Sequence, residues 1–288
     1  MMKTNHQNVL FVYFSATGIT ETYVSFMERV FVNQGWEVAR MNVTSYSSRQ
    51  KPLILDNYKN VIFGFPVYSD FAPSVINDWL PTLSGQGRRC GVFFTYGGRT
   101  CGYAHFHTKQ LLEKAGFQTL FSAEFLGRHS FNLGGFSMVP DRPNQIDFEV
   151  SREYVELAID RFTRQDPPNF RLQKPFGYST SLSRLEHNRV RTYRGAAQPT
   201  RVTGDCQMCR LCEDECPTMA FDAETGLSDI EKCIECMRCV LVCPDQVIKC
   251  DQKMKQDFPA FLEHFHLTQE MMNAKRSKII TEPWQAAA

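Results

Sequence analysis

The sequence predicts an α/β chain, a doubly wound sheet of five parallel strands, followed by a small α+β module. Two observations carry the sheet. From residue 8 to about 165, short apolar runs alternate with amphipathic stretches, the order expected of a parallel sheet covered by helices on both faces. The stretch FSATGIT, Phe14 to Thr20, falls at the first junction between a run and a stretch, where open α/β sheets hold their ligands. A third observation sets off the module: of eleven cysteines, nine fall between Cys206 and Cys250.

The elements follow in order. VLFVYF reads as the first strand, and ITETYVSFMERVFVNQG as a helix that Gly35 stops. WEVARMNV is a weaker strand. NVIFGFPVY is a buried-type strand broken by Pro66, and PSVINDWLPTL is a short helix with Pro73 near its first turn. RRCGVFFTYGG is another buried strand, YAHFHTKQLLEKAG a helix ending at Gly116, and FQTLFSAEFLG the last strand. After an irregular segment, 128–146, DFEVSREYVELAIDRF closes the series as a helix, which the DPP at 166–168 stops.

Four divisions result: a domain over 1–165, a connector over 166–200, the cysteine module over 201–250 and a tail over 251–288. The connector is basic, with Arg171, Lys174, Arg184, Arg189, Arg191 and Arg194 against Asp166 and Glu186. The module is acidic, with ten carboxylates against five basic residues. Such a pair either docks, one on the other, or forms two independently solvated surfaces. In the tail, DFPAFLEHFHLTQEMMNAKRSKII reads as a helix with an apolar stripe packed on one of the domains.

At 288 residues, 43% apolar and 22% charged, the composition is that of a globular protein. A net charge of +1 points to neither nucleic acid nor a membrane surface, and no apolar stretch approaches the roughly 18 residues needed to span a bilayer. The N-terminus lacks the pattern of a signal peptide, so a cytoplasmic location is expected.

The cysteines carry the strongest signal. CQMCRLCEDECP, Cys206 to Pro217, is answered by CIECMRCVLVCP, Cys233 to Pro244, about 27 residues on. Each is C-x2-C-x2-C-x3-C-P. Three thiolates at three-residue intervals wrap one corner of a cubane, and the fourth ligand must come from elsewhere. Zinc ligands come as separated C-x2-C pairs with a longer spacer, a form neither run has. The block resembles a bacterial-type ferredoxin with two 4Fe–4S clusters. That resemblance implies crossed ligation: Cys206, Cys209, Cys212 and Cys243 at one cluster, and Cys233, Cys236, Cys239 and Cys216 at the second. Cys250 is then left as a small buried residue, and Cys90 as a core residue of its strand.

FSATGIT has no lysine. A triphosphate loop needs one, within G-x-x-x-x-G-K-S/T. Alternating hydroxyls, backbone amides and a helix dipole suffice for a single phosphate monoester. FMN fits, with one phosphate and a flat ring gripped elsewhere. The loop resembles the flavodoxin phosphate signature, S/T-x-T-G-x-T. Residue by residue, Ser15, Thr17 and Thr20 give hydroxyls, while Ala16, Gly18 and Ile19 give amides. The same resemblance places the ring between the loops after strands three and four. In the first, Pro66 and Val67 lead to Tyr68, the aromatic expected to flank the ring. In the second, Gly97, Gly98 and Gly102 would let the backbone approach the ring. Tyr96 or Tyr103 would stack there, and Arg99 would place positive charge near the flavin. His105 and His107 read as the two sides of a helix start rather than ligands.

The order of the two parts resembles flavodoxin–ferredoxin fusion proteins. The resemblance implies an electron carrier joining FMN to two 4Fe–4S clusters, with a redox protein as partner. The alternative is an FMN-dependent reductase of a small molecule fed by the clusters. The segment Arg128 to Gln145, which has no counterpart in simple flavodoxins, keeps that alternative open. A structural or regulatory iron–sulfur protein would leave the flavin loops without a role. No nicotinamide fingerprint is present.

Overall fold

The computed structural model describes residues 7–187, 198–251 and 253–281. Arg189, Arg191 and Arg194 of the basic connector lie outside the described residues. The first domain runs β1 (Asn8–Tyr13), α1 (Ile19–Asn33), β2 (Glu37–Asn42), α2 (Tyr46–Arg49), β3 (Asn60–Pro66), α3 (Ser74–Trp79), β4 (Arg89–Tyr96), α4 (Ala104–Lys114), β5 (Gln118–Leu126) and α5 (Gln145–Thr163). These five strands are parallel and stand in the order 2-1-3-4-5, that of a flavodoxin-like sheet.

Strand periodicity sorts the core into two layers. Leu10, Val12, Val61, Phe63, Val92 and Phe94 point to one face, under Ile76 and Trp79 of α3 and Leu112 of α4. Val9, Phe11, Ile62, Phe93 and Phe121 point to the other, under Tyr23, Met27 and Phe31 of α1 and Tyr154 and Ala158 of α5. Both faces of the sheet are therefore buried, which is why its strands read as continuous apolar runs.

Three elements depart from the sequence expectations. Pro66 does not break β3; it is its last residue, where a missing N–H costs the ladder least. The connector is not without structure: α6 (Tyr178–His187) lies in it, and Tyr178 is buried with Phe71 and Phe106 of the first domain. Among the described residues the connector docks on the sheet domain through this aromatic contact, and at its end Gln198 donates to the Ser228 carbonyl at 3.4 Å and the Pro199 carbonyl accepts from the Ser228 hydroxyl at 3.2 Å in the module. The tail is not one helix. After the module come α9 (Lys253–His264) and α10 (Gln269–Ala274), the second capped by the Thr268 hydroxyl, and then β10 (Lys278–Ile280). β10 pairs antiparallel with β5, so the sheet has six strands. The β-branched Ile279 and Ile280, beyond a capped helix, favour an extended edge over another helical turn.

The module comprises β6 (Thr200–Arg201), α7 (Leu211–Asp214), the hairpin β7 (Phe221–Asp222) and β8 (Leu227–Ser228), α8 (Arg238–Val242) and β9 (Ile248–Lys249). β6 pairs with β9, which closes it. The module is anchored to the first domain. Buried Arg49 donates to the carbonyls of Val43 and Thr44, both at 2.8 Å, and to that of Pro217 in the module. The Tyr46 N–H donates to the Cys216 carbonyl at 3.3 Å. A third apolar seam joins Phe136, Met138 and Val139 of the 128–145 segment to Met237 of the module and to Met254, Phe261 and Met272 of the tail. No helix among the described residues is long and apolar enough to cross a membrane.

Candidate functional site

The site begins at the turn between β1 and α1. Gly18 takes a φ of 86°, the left-handed conformation that a glycine adopts without strain, and turns the chain into the helix. Ser15 and Thr20 are buried. The Ser15 hydroxyl accepts from the Glu21 N–H at 3.0 Å, its own N–H donates to the Thr44 hydroxyl at 2.7 Å, and the Thr20 and Thr95 hydroxyls meet at 2.8 Å. Among the described residues the amides of Thr17 to Thr20 donate to no carbonyl. A short row of free N–H groups at a helix N-terminus is the donor set a phosphate monoester requires.

A cavity of about 410 Å³ opens from this loop. Ser15, Ala16, Thr17, Ile19 and Thr20 line it, as do Pro66, Val67, Tyr68, Tyr96, Gly97 and Arg99. The loops after β3 and β4 thus converge on the phosphate loop. Gly98, Gly102 and Tyr103 are not part of the wall. Tyr103 packs instead on Phe71 and Tyr178. A Cβ at Gly97 would lie 2.3 Å from His129, and one at Gly102 would lie 2.3 Å from Asp70. Both glycines thus stand where a side chain would collide with a neighbour within the protein, and Gly97 also lines the cavity.

The rest of the wall comes from parts of the chain whose role the sequence left open. Arg128, His129, Ser130 and Phe131 follow β5, Phe261 stands in the last turn of α9, and Phe265 lies just past its end. Cys233, Ile234 and Glu235 come from the module. Arg99 pairs with Asp70, and its guanidinium lies 4.6 Å from the centre of the Phe265 ring. His129 accepts the Phe131 N–H on Nδ1 at 3.1 Å, so its neutral ring carries the proton on Nε2. Burial, with Arg99 beside it, pushes the imidazole down to about 4. The length of the 128–145 segment and the Phe261–Phe265 spacing were the available signals for these residues.

Behind the wall lies a buried network. His105 meets Ser122 at 2.6 Å through Nδ1 and Glu124 at 3.3 Å through Nε2, and Lys278 reaches Glu124 at 3.1 Å. Burial opposes the charge on Glu124, yet His105 and Lys278 hold its carboxyl at about 2. Cys101 lies within 4.8 Å of the same groups, and burial followed by the Glu124 charge pushes its thiol up. Lys278, from the tail, supplies the positive charge this carboxylate needs. His107 is buried as well and pairs with the Tyr178 hydroxyl at 2.8 Å. Cys90 is a core residue, while half-buried Cys250 has its sulfur 3.1 Å from that of Met237.

The two cysteine runs repeat in backbone as well as in sequence. Met208 and Glu235 have φ of 55° and 53°, Arg210 and Met237 have 60° and 63°, and Met219 and Gln246 have 53° and 55°. None is glycine, and left-handed conformations in such residues persist only where the surroundings enforce them. Their effect is to curl each run about its own thiols. The Met208 N–H points at the Cys206 sulfur and the Glu235 N–H at the Cys233 sulfur, both at 3.4 Å. Cys206, Cys209, Cys212 and Cys243 line one small cavity. Burial pushes the Cys239 thiol up, and Cys236, Cys233 and Cys216 add to the rise, so these four lie within electrostatic reach of one another.

The comparisons fall on the two parts of the chain separately. The 4Fe-4S binding domain family matches residues 228–248. Ferredoxin-2 of Chlorobaculum tepidum is 38% identical over 58 residues, which are 17% of this chain and 94% of that protein. Indolepyruvate oxidoreductase subunit IorA of Archaeoglobus fulgidus is 34% identical over 64 residues, 22% of this chain, and the chain spans about 10% of the length of that relative. Among solved structures, a flavodoxin from the domain Archaea aligns with 55% of this chain and 100% of its own, at 12% identity and a TM-score of 0.40. Flavodoxin 2 from Bacillus cereus aligns with 54% and 99%, at 15% identity and a TM-score of 0.43. Strand order, curled cysteine runs and the near-complete span of a ferredoxin lead to one assignment: through its C-terminal module the chain belongs to the ferredoxin family, here joined to a flavodoxin-like domain.

Proposed function

We propose that this chain is an electron-transfer flavo-iron–sulfur protein that passes electrons between FMN and two 4Fe–4S clusters, linking two-electron and one-electron partners. One observation carries the reading: Cys233, Ile234 and Glu235 of the second cysteine run line the same cavity as the phosphate loop and the loop of Tyr68. FMN exchanges one or two electrons, and each cluster exchanges one. The free amides of Thr17 to Thr20 would hold the phosphate, with Ser15 and Thr20 fixing the loop. Tyr68 and Tyr96, which line the cavity, would flank the ring. The matched left-handed residues of both runs support two equivalent sites, with Cys206, Cys209, Cys212 and Cys243 at one and Cys233, Cys236, Cys239 and Cys216 at the other.

Reductive titration of the anaerobic protein, followed by absorbance and EPR, tests the reading. Four electrons are expected, two bleaching a flavin and one at each of two clusters. Two electrons without flavin bleaching would overturn the flavin half.

A second reading, a reductase of a small molecule at the flavin, draws on the extra wall. Arg99, His129, Phe131, Phe261 and Phe265 give the cavity donors and apolar surface beyond what the phosphate and ring loops supply. Flavin oxidation by a panel of small acceptors, each at saturating concentration, would separate the two readings.

A further inference from the structure

The two cysteine runs repeat in sequence and backbone, but their surroundings differ. In the second run Ile234 packs into the core of the first domain, Met237 is 1% exposed, Glu235 lines the large cavity, and Arg238 pairs with Glu215. Aligned on it, the first run places Gln207, Met208, Arg210 and Leu211 at the same four positions. There the polarity is exchanged. Gln207 and Arg210 stand where the second run buries Ile234 and Met237, while apolar Met208 and Leu211 stand where it carries Glu235 and Arg238. Met208 is 42% and Leu211 is 41% exposed, and Cys209, between them, is exposed as well. Every residue lining the cavity of this first run belongs to the module itself.

The exposure of Met208 and Leu211 on either side of an exposed ligand position gives this face an apolar centre. Carboxylates dominate its rim. Arg201 is occupied by the carbonyls of Ala223 and Glu224, each at 2.8 Å, and reaches the Met208 sulfur at 3.4 Å, while Arg210 is paired with Glu213 and Glu224. Asp205 is exposed beside them. An apolar centre within an acidic rim complements a partner with an apolar centre and a basic rim. Electron exchange between proteins also falls steeply with distance, which favours the exposed run over the one buried against the cavity.

We propose that the face centred on Met208, Cys209 and Leu211 is the docking surface for a one-electron redox protein with a basic rim. The Cys233–Cys239 run is then the inner end of the path, against the flavin pocket. The proposal rests on the electron-transfer reading above and names its port.

The test uses the full chain, prepared anaerobically with its clusters, and cytochrome c, a basic haem protein, as the probe. Wild type is compared with the double variant Met208→Lys, Leu211→Lys and with the control Ile54→Lys on the first domain. Carbodiimide cross-links to cytochrome c are expected at Asp205, Glu213 and Glu224. The double variant should lose them and reduce cytochrome c at least ten-fold more slowly, with its reduced EPR spectrum unchanged, while the control behaves as wild type. If the double variant perturbs the EPR spectrum, Asp205→Lys with Glu224→Lys carries the same expectation from the rim alone. Cross-links at Asp70 or Glu21, or undiminished rates in the variants, would overturn the port. A wild-type chain without a cluster signal on reduction would instead overturn the underlying reading, before any probe is added.

Discussion

Arg238, which stands between two cysteines of the second run, lies 3.4 Å from the carbonyl oxygen of Ala16 in the phosphate loop and donates to it. Its other contact is Glu215, at 2.6 Å. The phosphate loop has no cation of its own, and here one arrives from the module. If the proposed function holds, Arg238→Gln weakens FMN binding about ten-fold, the scale of one charge-assisted hydrogen bond lost from a partly buried site. Fluorescence titration of the flavin-depleted protein with FMN measures it, and an affinity equal to wild type would show that the contact is incidental.

Ser15 should matter through the loop's shape. Its hydroxyl accepts from the Glu21 N–H at the first turn of α1, at a buried site. Ser15→Ala leaves that amide unmatched and is expected to cost about 1–2 kcal/mol of stability, as loss of a helix cap does. Chemical denaturation checks the figure, and a midpoint unchanged by the substitution would remove Ser15 from the account.

Ser277, just before β10, makes a sharper case. Its hydroxyl accepts from the Leu126 N–H at 2.9 Å and donates to the Asp147 carboxylate at 2.5 Å, all within a buried site. In Ser277→Ala both partners lose a bond together, at an expected cost of about 2–3 kcal/mol. Hydrogen exchange at the Leu126 amide should rise with it, whereas Ser277→Thr should retain most of the protection.

Stability should fall on mild acidification. Burial pushes His107 from 6.5 down to about 4 in the folded chain, and His129 likewise. Between those values the unfolded chain binds a proton that the folded chain refuses, so the full stability present above pH 6.5 is lost as the pH falls toward 4. At pH 5 each histidine accounts for about 2 kcal/mol. His107→Gln is expected to flatten the dependence of the melting temperature on pH between 7.5 and 5 by about half. An unchanged slope would mean that the His107 ring is not held neutral.

Much of this was legible from residue patterns. The five parallel strands follow from runs such as NVIFGF and RCGVFFTY, because a strand buried on both faces has no polar face to hide. The cysteine spacing announced its chemistry, since few other sites need three thiolates three residues apart. The cavity wall was less legible for a physical reason. His129, Phe261 and Glu235 meet the pocket across long stretches of chain, through packing that no local pattern encodes. Gly97 and Gly102 were legible only in part. A glycine states that something approaches closely, and only the fold says that the neighbour is His129 or Asp70.

The pairing of β10 with β5 changes what kind of fusion this is. The chain leaves the sheet domain after α5, builds the module, and then returns to complete that same sheet at Lys278–Ile280. The module is consequently an insert anchored at both ends, rather than cargo on a leash. It cannot swing out to fetch electrons and return, and a cut in the connector alone would not set it free. Whatever passes between the cysteine runs and the cavity beside Ser15 to Thr20 crosses a span set by architecture, independent of protein concentration and of tether length. Only the outward-facing side is left to chance encounter.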